Sequence, residues 1–369
     1  MTTEPYTASD SNTASDPNTA EERLLRDLVE IPSVSGSEQD IAAHLVRVLP
    51  RWGFESHLDE AGNAIGRRGD PDAPMIMLTS HMDTVPGDIP VRQEGSILHG
   101  RGTVDCKGPL AAMICAASRW EARGAQVVVA GVVEEETFGR GAHQLARDFS
   151  PDLAIVGEPN GWAGIGIGYK GRFLARYEVS RPAAHTAHPG ERATEAAIAF
   201  WNRMTAYLDG FAPAGRAFDR PIPTLNEMAG TLENAALTLS CRTPPGFDLA
   251  AFEDFLEASR ADGVLTIEDR TPAALVDTSG GAVRALSAGI RAQQGRPKLK
   301  LKTGTADLNI VNQFWPVSLA VYGPGDSSLD HTDHEHIDLR EYAASIDVLT
   351  VALEHAAREL AGARLAALR

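Results

Sequence analysis

Apolar positions along this chain fall first into a helical rhythm and then into solid runs. Leu24, Leu25, Leu28 and Val29 recur at helix spacing from Glu21 onward. The pattern stops at Ile31-Pro32, because a proline disfavours helix in the residue before it. A second amphipathic helix is predicted over 38–49 and an Ala-rich one over 109–119. Uninterrupted apolar runs at 75–78, 127–133 and 153–156 read as strands buried on both faces. Such strands alternating with helices predict an α/β layer around a mostly parallel central sheet.

After Gly168 the pattern changes. Residues 172–179 and 235–241 look like half-exposed strands on either side of a helix at 193–208. An amphipathic stretch at 249–259 and a strand at 263–267 complete a βαββαβ-like unit. A smaller α+β domain over 168–277 is therefore expected, inserted into a larger domain made of 21–167 and 278–369. The chain closes on an Ala/Leu-rich helix over 342–365. Residues 1–20 are expected to form a disordered tail, since a Ser/Thr/Asp/Asn/Pro composition buries too little surface to offset ordering entropy.

Charge narrows the field. With 50 acidic and 34 basic residues the net charge is -16, which argues against broad affinity for nucleic acid or an anionic membrane surface. No stretch stays apolar for the eighteen residues a membrane span needs. The three cysteines, Cys106, Cys115 and Cys241, are odd in number and scattered, so neither a disulfide framework nor a cysteine zinc site is expected. A reducing, cytoplasmic setting fits that usage.

Chemistry gathers where strands end. Residues 80–87, SHMDTVPG, follow the predicted strand at 75–78, and the carboxyl ends of sheet strands are where α/β layers bind ligands. His81 offers an imidazole to a metal, and Asp83 can accept its other ring N–H and fix its orientation. Carboxylates follow in GTVDCKG (102–108), VVEEET (132–137) and VGEP (156–159), and DHTDHEH (330–336) is dense in ligand-type residues. Donors of His, Asp and Glu type suit zinc, cobalt or manganese.

These motifs resemble the metal-dependent amidohydrolase family of acetylornithine deacetylase, succinyl-diaminopimelate desuccinylase and glutamate carboxypeptidase, over nearly all of the chain after residue 20. The resemblance implies a zinc-peptidase-like domain with a ferredoxin-like lid or dimerisation domain, a homodimer, and two divalent ions, zinc or alternatively cobalt. It implies that His81 and Glu158 hold one ion, Glu136 and His331 the other, and that Asp105 bridges them. The spacing of Glu136 to Gly141 follows the family's, which makes Glu135 the general base; His331 precedes Glu335 by the family's four residues. Asp83 would support catalysis, and His185, in AHTAHP (184–189), would stabilise an oxyanion in a neighbouring subunit. Arg242, Lys302, Thr303 and Gly304 would contact substrate.

A finer likeness, in residues 161–172, 302–309 and 322–336, is to hydrolases that release lysine or ornithine from an acidic amino-group carrier protein in lysine and arginine biosynthesis. Docking of such a carrier on an acidic chain needs a local basic surface, for which Lys170, Arg172, Arg181, Arg192, Arg203 and Arg216 are candidates. Two other readings stand beside this one. The same chemistry can act on a small N-acyl amino acid or dipeptide, and a metal-binding scaffold can have lost catalysis.

Overall fold

The computed structural model describes residues 19–121, 124–187, 189–211 and 215–367, with side chains to Arg364. Residues 1–18, most of the expected tail, lie outside the described residues. The first helix, Ala20–Val29, starts one residue before Glu21, because the Thr19 side chain caps it by accepting from Glu22 N at 3.2 Å.

A nine-stranded sheet forms the centre. Its middle four strands are parallel and run in the order Gln126–Val132, Met75–His81, Leu153–Gly157, Ser318–Val321. The expectation of a mostly parallel sheet thus holds at the centre; Glu55–Leu58 and Ala64–Gly69 extend one side antiparallel. On the other side Gly164–Tyr169 pairs parallel with Lys298–Lys302 and antiparallel with Ala274–Leu275.

Alternation along the middle strands explains why both faces are covered. Ile76, Leu78, Val127, Val129, Leu153 and Ile155 pack into one core with the helices Ala20–Val29, Gln39–Val48, Lys107–Arg119, Gly281–Ala292 and Leu339–Ala367. Met77, Val128, Ala130, Ala154 and Val156 point the other way, onto Arg140–Asp148 and Asp307–Val311. The result is a three-layer α/β/α body whose active end is set by where the parallel strands stop.

A separate four-stranded antiparallel sheet has the order Ile222–Gly230, Asn234–Thr243, Gly171–Ser180, Val264–Thr271. With Ala193–Asp209 and Leu249–Ser259 it follows the chain order β-α-β-β-α-β, and it keeps its own core. Phe200 is stacked on Tyr177 there at 4.1 Å between ring centroids.

Gly164–Tyr169 and Ile222–Gly230 are among the strands that the hydrophobic pattern does not mark. Gly164–Tyr169 carries glycine at every second position: a Cβ on Gly164 would lie 2.0 Å from Asn160 O, one on Gly166 2.8 Å from Val321 Cβ, and one on Gly168 2.6 Å from Leu275 Cδ2. Close approach of neighbours, not strand propensity, selects those residues. Ile222–Gly230 is an edge strand left mostly exposed, so its sequence shows no apolar face.

Candidate active site

His81 ends its strand 1% exposed, with Nε2 3.0 Å from Asp105 Oδ1. Its Nδ1 lies 3.0 Å from the main-chain oxygen of Asp83 and 3.5 Å from that residue's carboxylate. The expected aspartate support is therefore shared with a carbonyl. The Asp83 carboxylate mainly holds the next loop: it accepts from Ser35 Oγ at 2.7 Å, from Glu135 N at 3.1 Å and from Glu136 N at 3.2 Å.

The other Asp105 oxygen, Oδ2, sits 3.1 Å from His331 Nε2, which also meets Glu136 Oε1 at 2.9 Å. One carboxylate thus lies between two imidazoles. Ligand atoms of His81, Asp105, Cys106 and Glu158 fall within 4.8 Å of one another, as do those of His81, Glu135 and Glu136, and those of Asp105, Glu136 and His331. Cys106 was not expected here; its thiol donates to Gly157 O at 3.0 Å, and burial followed by Glu158 pushes it well above the usual thiol range, so it stays neutral.

Electrostatics are unbalanced in one direction. Burial and then Asp105 drive the Glu158 carboxyl well above the usual range, and burial with Glu158 does the same to Glu135. Burial, again with Asp105, takes Asp330 up to about 8. Asp105 is the exception: burial would raise it, but His331 and His81 outweigh that and hold it well below. His331 in turn is lifted to about 10 by Asp105 and then Glu136. Among the described residues, acidic groups outnumber the positive charge beside them, and this set of His, Asp and Glu donors fits divalent cations.

Local supports explain the motif spacings. Glu335 is fully buried and accepts from Val104 N at 2.9 Å, Asp105 N at 3.1 Å and Arg101 Nη1 at 2.9 Å, which fixes the backbone that presents Asp105. Asn63 receives Val133 N at 3.0 Å and donates to Gly141 O at 2.9 Å, bracing the loop of three glutamates. A Cβ on Gly141 would lie 2.4 Å from Asn63 Oδ1, which is why glycine stands five residues after Glu136. Glu134 and His331 both adopt φ of 60°, a backbone region that non-glycine residues enter uncommonly, as Ala261 and Gln294 also do away from the site. No sequence signal marked Asn63; Glu335 was noted only as a spacing marker.

A cavity of about 410 Å³ opens onto this cluster, lined by Asp105, Glu135, Glu136, Glu158 and His331, and also by Arg242, Lys302, Thr303 and Gly304. Arg242 enters from the four-stranded sheet and donates to Thr305 Oγ1, while burial lowers its pKa. Lys302 donates to Pro159 O at 2.9 Å. Two further lining residues, Asp307 and Asp330, were missed; one lies inside the quoted segment 302–309 and the other directly before His331.

Other expected residues stand apart. His185 is exposed on a loop of the smaller unit, its Nδ1 accepting from Ala187 N at 3.1 Å, and it does not line the cavity of its own chain. His188 lies outside the described residues. His336 belongs to a short strand paired with Ile97–His99, and His334 is exposed. The candidate basic residues each have partners within the chain. Lys170 is buried and donates to Ala217 O and Arg220 O, and Arg172 pairs with Asp269 while bonding Thr137 O. Arg181 closes on Asp262 and Glu191, Arg216 on Asp219; Arg192 donates to His185 O and Arg203 to Ser259 O. Carboxylates thus pair with three of the six, Arg172, Arg181 and Arg216, while the other three donate to main-chain carbonyls.

Comparison with known proteins supplies the frame for this geometry. The model of Peptidase family M20/M25/M40 matches residues 77–355. A LysW-lysine hydrolase of Deinococcus radiodurans is 42% identical over 90% of this chain and 96% of its own length. A LysW-lysine/LysW-ornithine hydrolase of Saccharolobus islandicus is 28% identical over 90% of this chain and 94% of its own. Among solved structures, the M20 family metallo-carboxypeptidase Sso-CP2 from Sulfolobus solfataricus shares the fold, with a TM-score of 0.79 at 14% identity, covering 92% of this chain and all of that one. A family match across the carboxylate-rich strand ends, together with a relative aligned nearly end to end, means that this chain belongs to the M20/M25/M40 peptidase family of metal-dependent amide hydrolases.

Proposed function

We propose that this chain hydrolyses the amide joining lysine, or ornithine, to the side-chain carboxyl of a carrier protein's terminal glutamate. The 42% identity with the Deinococcus radiodurans hydrolase, spread over 90% of the chain, is the observation that carries this reading. In its support, the cavity combines a buried acidic cluster with Arg242 and Lys302, as a substrate with both an amide and a carboxylate requires.

His81, Asp105, Glu136, Glu158 and His331 would hold two divalent cations, zinc or cobalt. When bound, such a pair supplies Lewis acidity toward the amide carbonyl and lowers the pKa of a water beside it. Glu135 is the general base: its carboxylate takes the water's proton as the oxygen attacks, then delivers that proton to the departing amine. Asp83 keeps Glu135 in place through its main-chain N–H. Arg242 binds the amino-acid carboxylate through a two-pronged guanidinium contact, with Lys302, Thr303 and Gly304 along the same wall. The unit at 168–277 serves as lid and as the interface of a homodimer, in which His185 reaches the partner's cavity to steady the oxyanion. Exposed Ile198, Met228, Leu232 and Val264 on that unit support such an interface. Three buried free cysteines accord with a reducing, cytoplasmic setting. No helix of the described residues is long and apolar enough to cross a membrane.

Incubation of the metal-loaded protein with carrier-linked lysine, carrier-linked ornithine and N-acetylornithine tests the reading, with the released amine quantified. Release of lysine or ornithine from the carrier is expected. Turnover of N-acetylornithine alone would move the assignment to small acyl amino acids.

A further inference from the structure

Asp307 is an anomaly that the mechanism above does not use. It is 1% exposed, yet both carboxylate oxygens lack a hydrogen-bond partner among the described residues. Isolated buried carboxylates are costly and normally find a cation or a set of donors. Arg242 and Lys302 line the same cavity, but each donates elsewhere, to Thr305 and to Pro159 O.

Its surroundings are shaped for more than a charge. Phe138, Gly139 and Ile310 line the same cavity, and Phe138 is 56% exposed. A Cβ placed on Gly139 would come within 2.1 Å of Ile310 Cδ1 and 3.8 Å of Asp307 Oδ1, so glycine, isoleucine and aspartate meet at one corner. Apolar wall ending in an unpaired acid is what a long aliphatic side chain with a terminal cation needs, since its methylenes pack while its head pairs.

Building on the proposed function, we propose that Asp307 is the counter-charge for the side-chain ammonium of the released amino acid, whose methylene chain packs along Phe138, Gly139 and Ile310. The site would therefore select ω-ammonium amino acids and reject their uncharged analogues. Sequence alone could not single out this aspartate, because a lone acid between Ala306 and Leu308 reads as a helix-start residue.

The test uses metal-loaded protein and two readouts. Calorimetry measures binding of free L-lysine and L-norleucine, and kcat/KM is measured on carrier conjugates of both. Wild type is expected to favour lysine by about 100-fold, the scale of one buried charge contact. Asp307→Asn should lose about that factor for lysine and leave norleucine within about 3-fold, with metal content and Tm unchanged. Asp307→Leu, which keeps the branched outline of the side chain and replaces its charge with methyl groups, should invert the preference toward norleucine. Equal losses for both amino acids, or loss of bound metal in either variant, would overturn the assignment and make Asp307 a support of the metal cluster. Equal wild-type handling of lysine and norleucine overturns it while leaving carrier hydrolysis intact. Failure to release lysine from any carrier conjugate instead overturns the function on which it rests.

Discussion

At the carboxyl end of the central sheet, Glu158 and Asp307 are buried and Glu135 and Asp330 half-buried, none of them in an ion pair with a lysine or arginine among the described residues. On the four-stranded sheet, by contrast, Arg181 pairs with Asp262 and Glu191, Arg176 with Glu178, and Arg270 with Glu253. Surface pairs of the second kind contribute about 0–1 kcal/mol each and mainly keep the surface neutral and solvated. The first kind is costly unless a cation or substrate completes it. Where a protein leaves charge unpaired is therefore more informative than how much charge it carries.

The sharpest way to break that contrast is to withhold the missing positive charge. Exhaustive chelation should abolish amide hydrolysis, and added zinc or cobalt should restore it; full activity in metal-free protein would remove the reason for the acidic cluster. Next in size is Glu135→Gln, which keeps the shape of the side chain and removes its basicity. A loss of roughly 10³-fold in kcat is expected, with metal content and Tm unchanged. Near-normal turnover would sink the choice of Glu135 as base.

Support of the cluster should cost less than the base itself. Glu335→Gln keeps an acceptor for the Val104 and Asp105 N–H groups but loses the ion pair with Arg101. Metal affinity should fall about 10- to 100-fold, the range for outer-shell partners, read by competition with a chelating dye. An unchanged affinity would mean that Asp105 is held in place by other contacts.

The two regions also differed in how much of them could be read in advance. The buried parallel strands and their flanking helices were legible because apolar runs of that length have few other fates. The cluster of His, Asp and Glu side chains was legible because His81, Asp105, Glu136 and Glu158 each follow a strand or its turn, and the structure brings them together with His331. Gly164–Tyr169 was not, since its alternation is of glycines chosen by the neighbours that press on them. Asn63 and Asp307 were invisible for a related reason: their importance lies in partners far along the chain, or in having none. Pairing was equally invisible on the surface, where nothing in the sequence places Asp269, Asp262, Glu191 and Asp219 beside Arg172, Arg181 and Arg216.

That last point yields the smallest effect and the most discriminating one. If Arg181 and Arg216 are engaged by Asp262, Glu191 and Asp219, they have little field left to steer an acidic carrier. Arg181→Gln combined with Arg216→Gln should change KM for a carrier-linked substrate by less than about 2-fold even at low salt, where surface electrostatics are strongest. A rise well beyond that, lost again at high salt, would show that paired arginines still guide the carrier and that pairing on this surface does not silence charge. An unchanged KM leaves recognition to the cavity and its rim, where Arg242 and Lys302 stand beside the acidic cluster rather than among surface carboxylates.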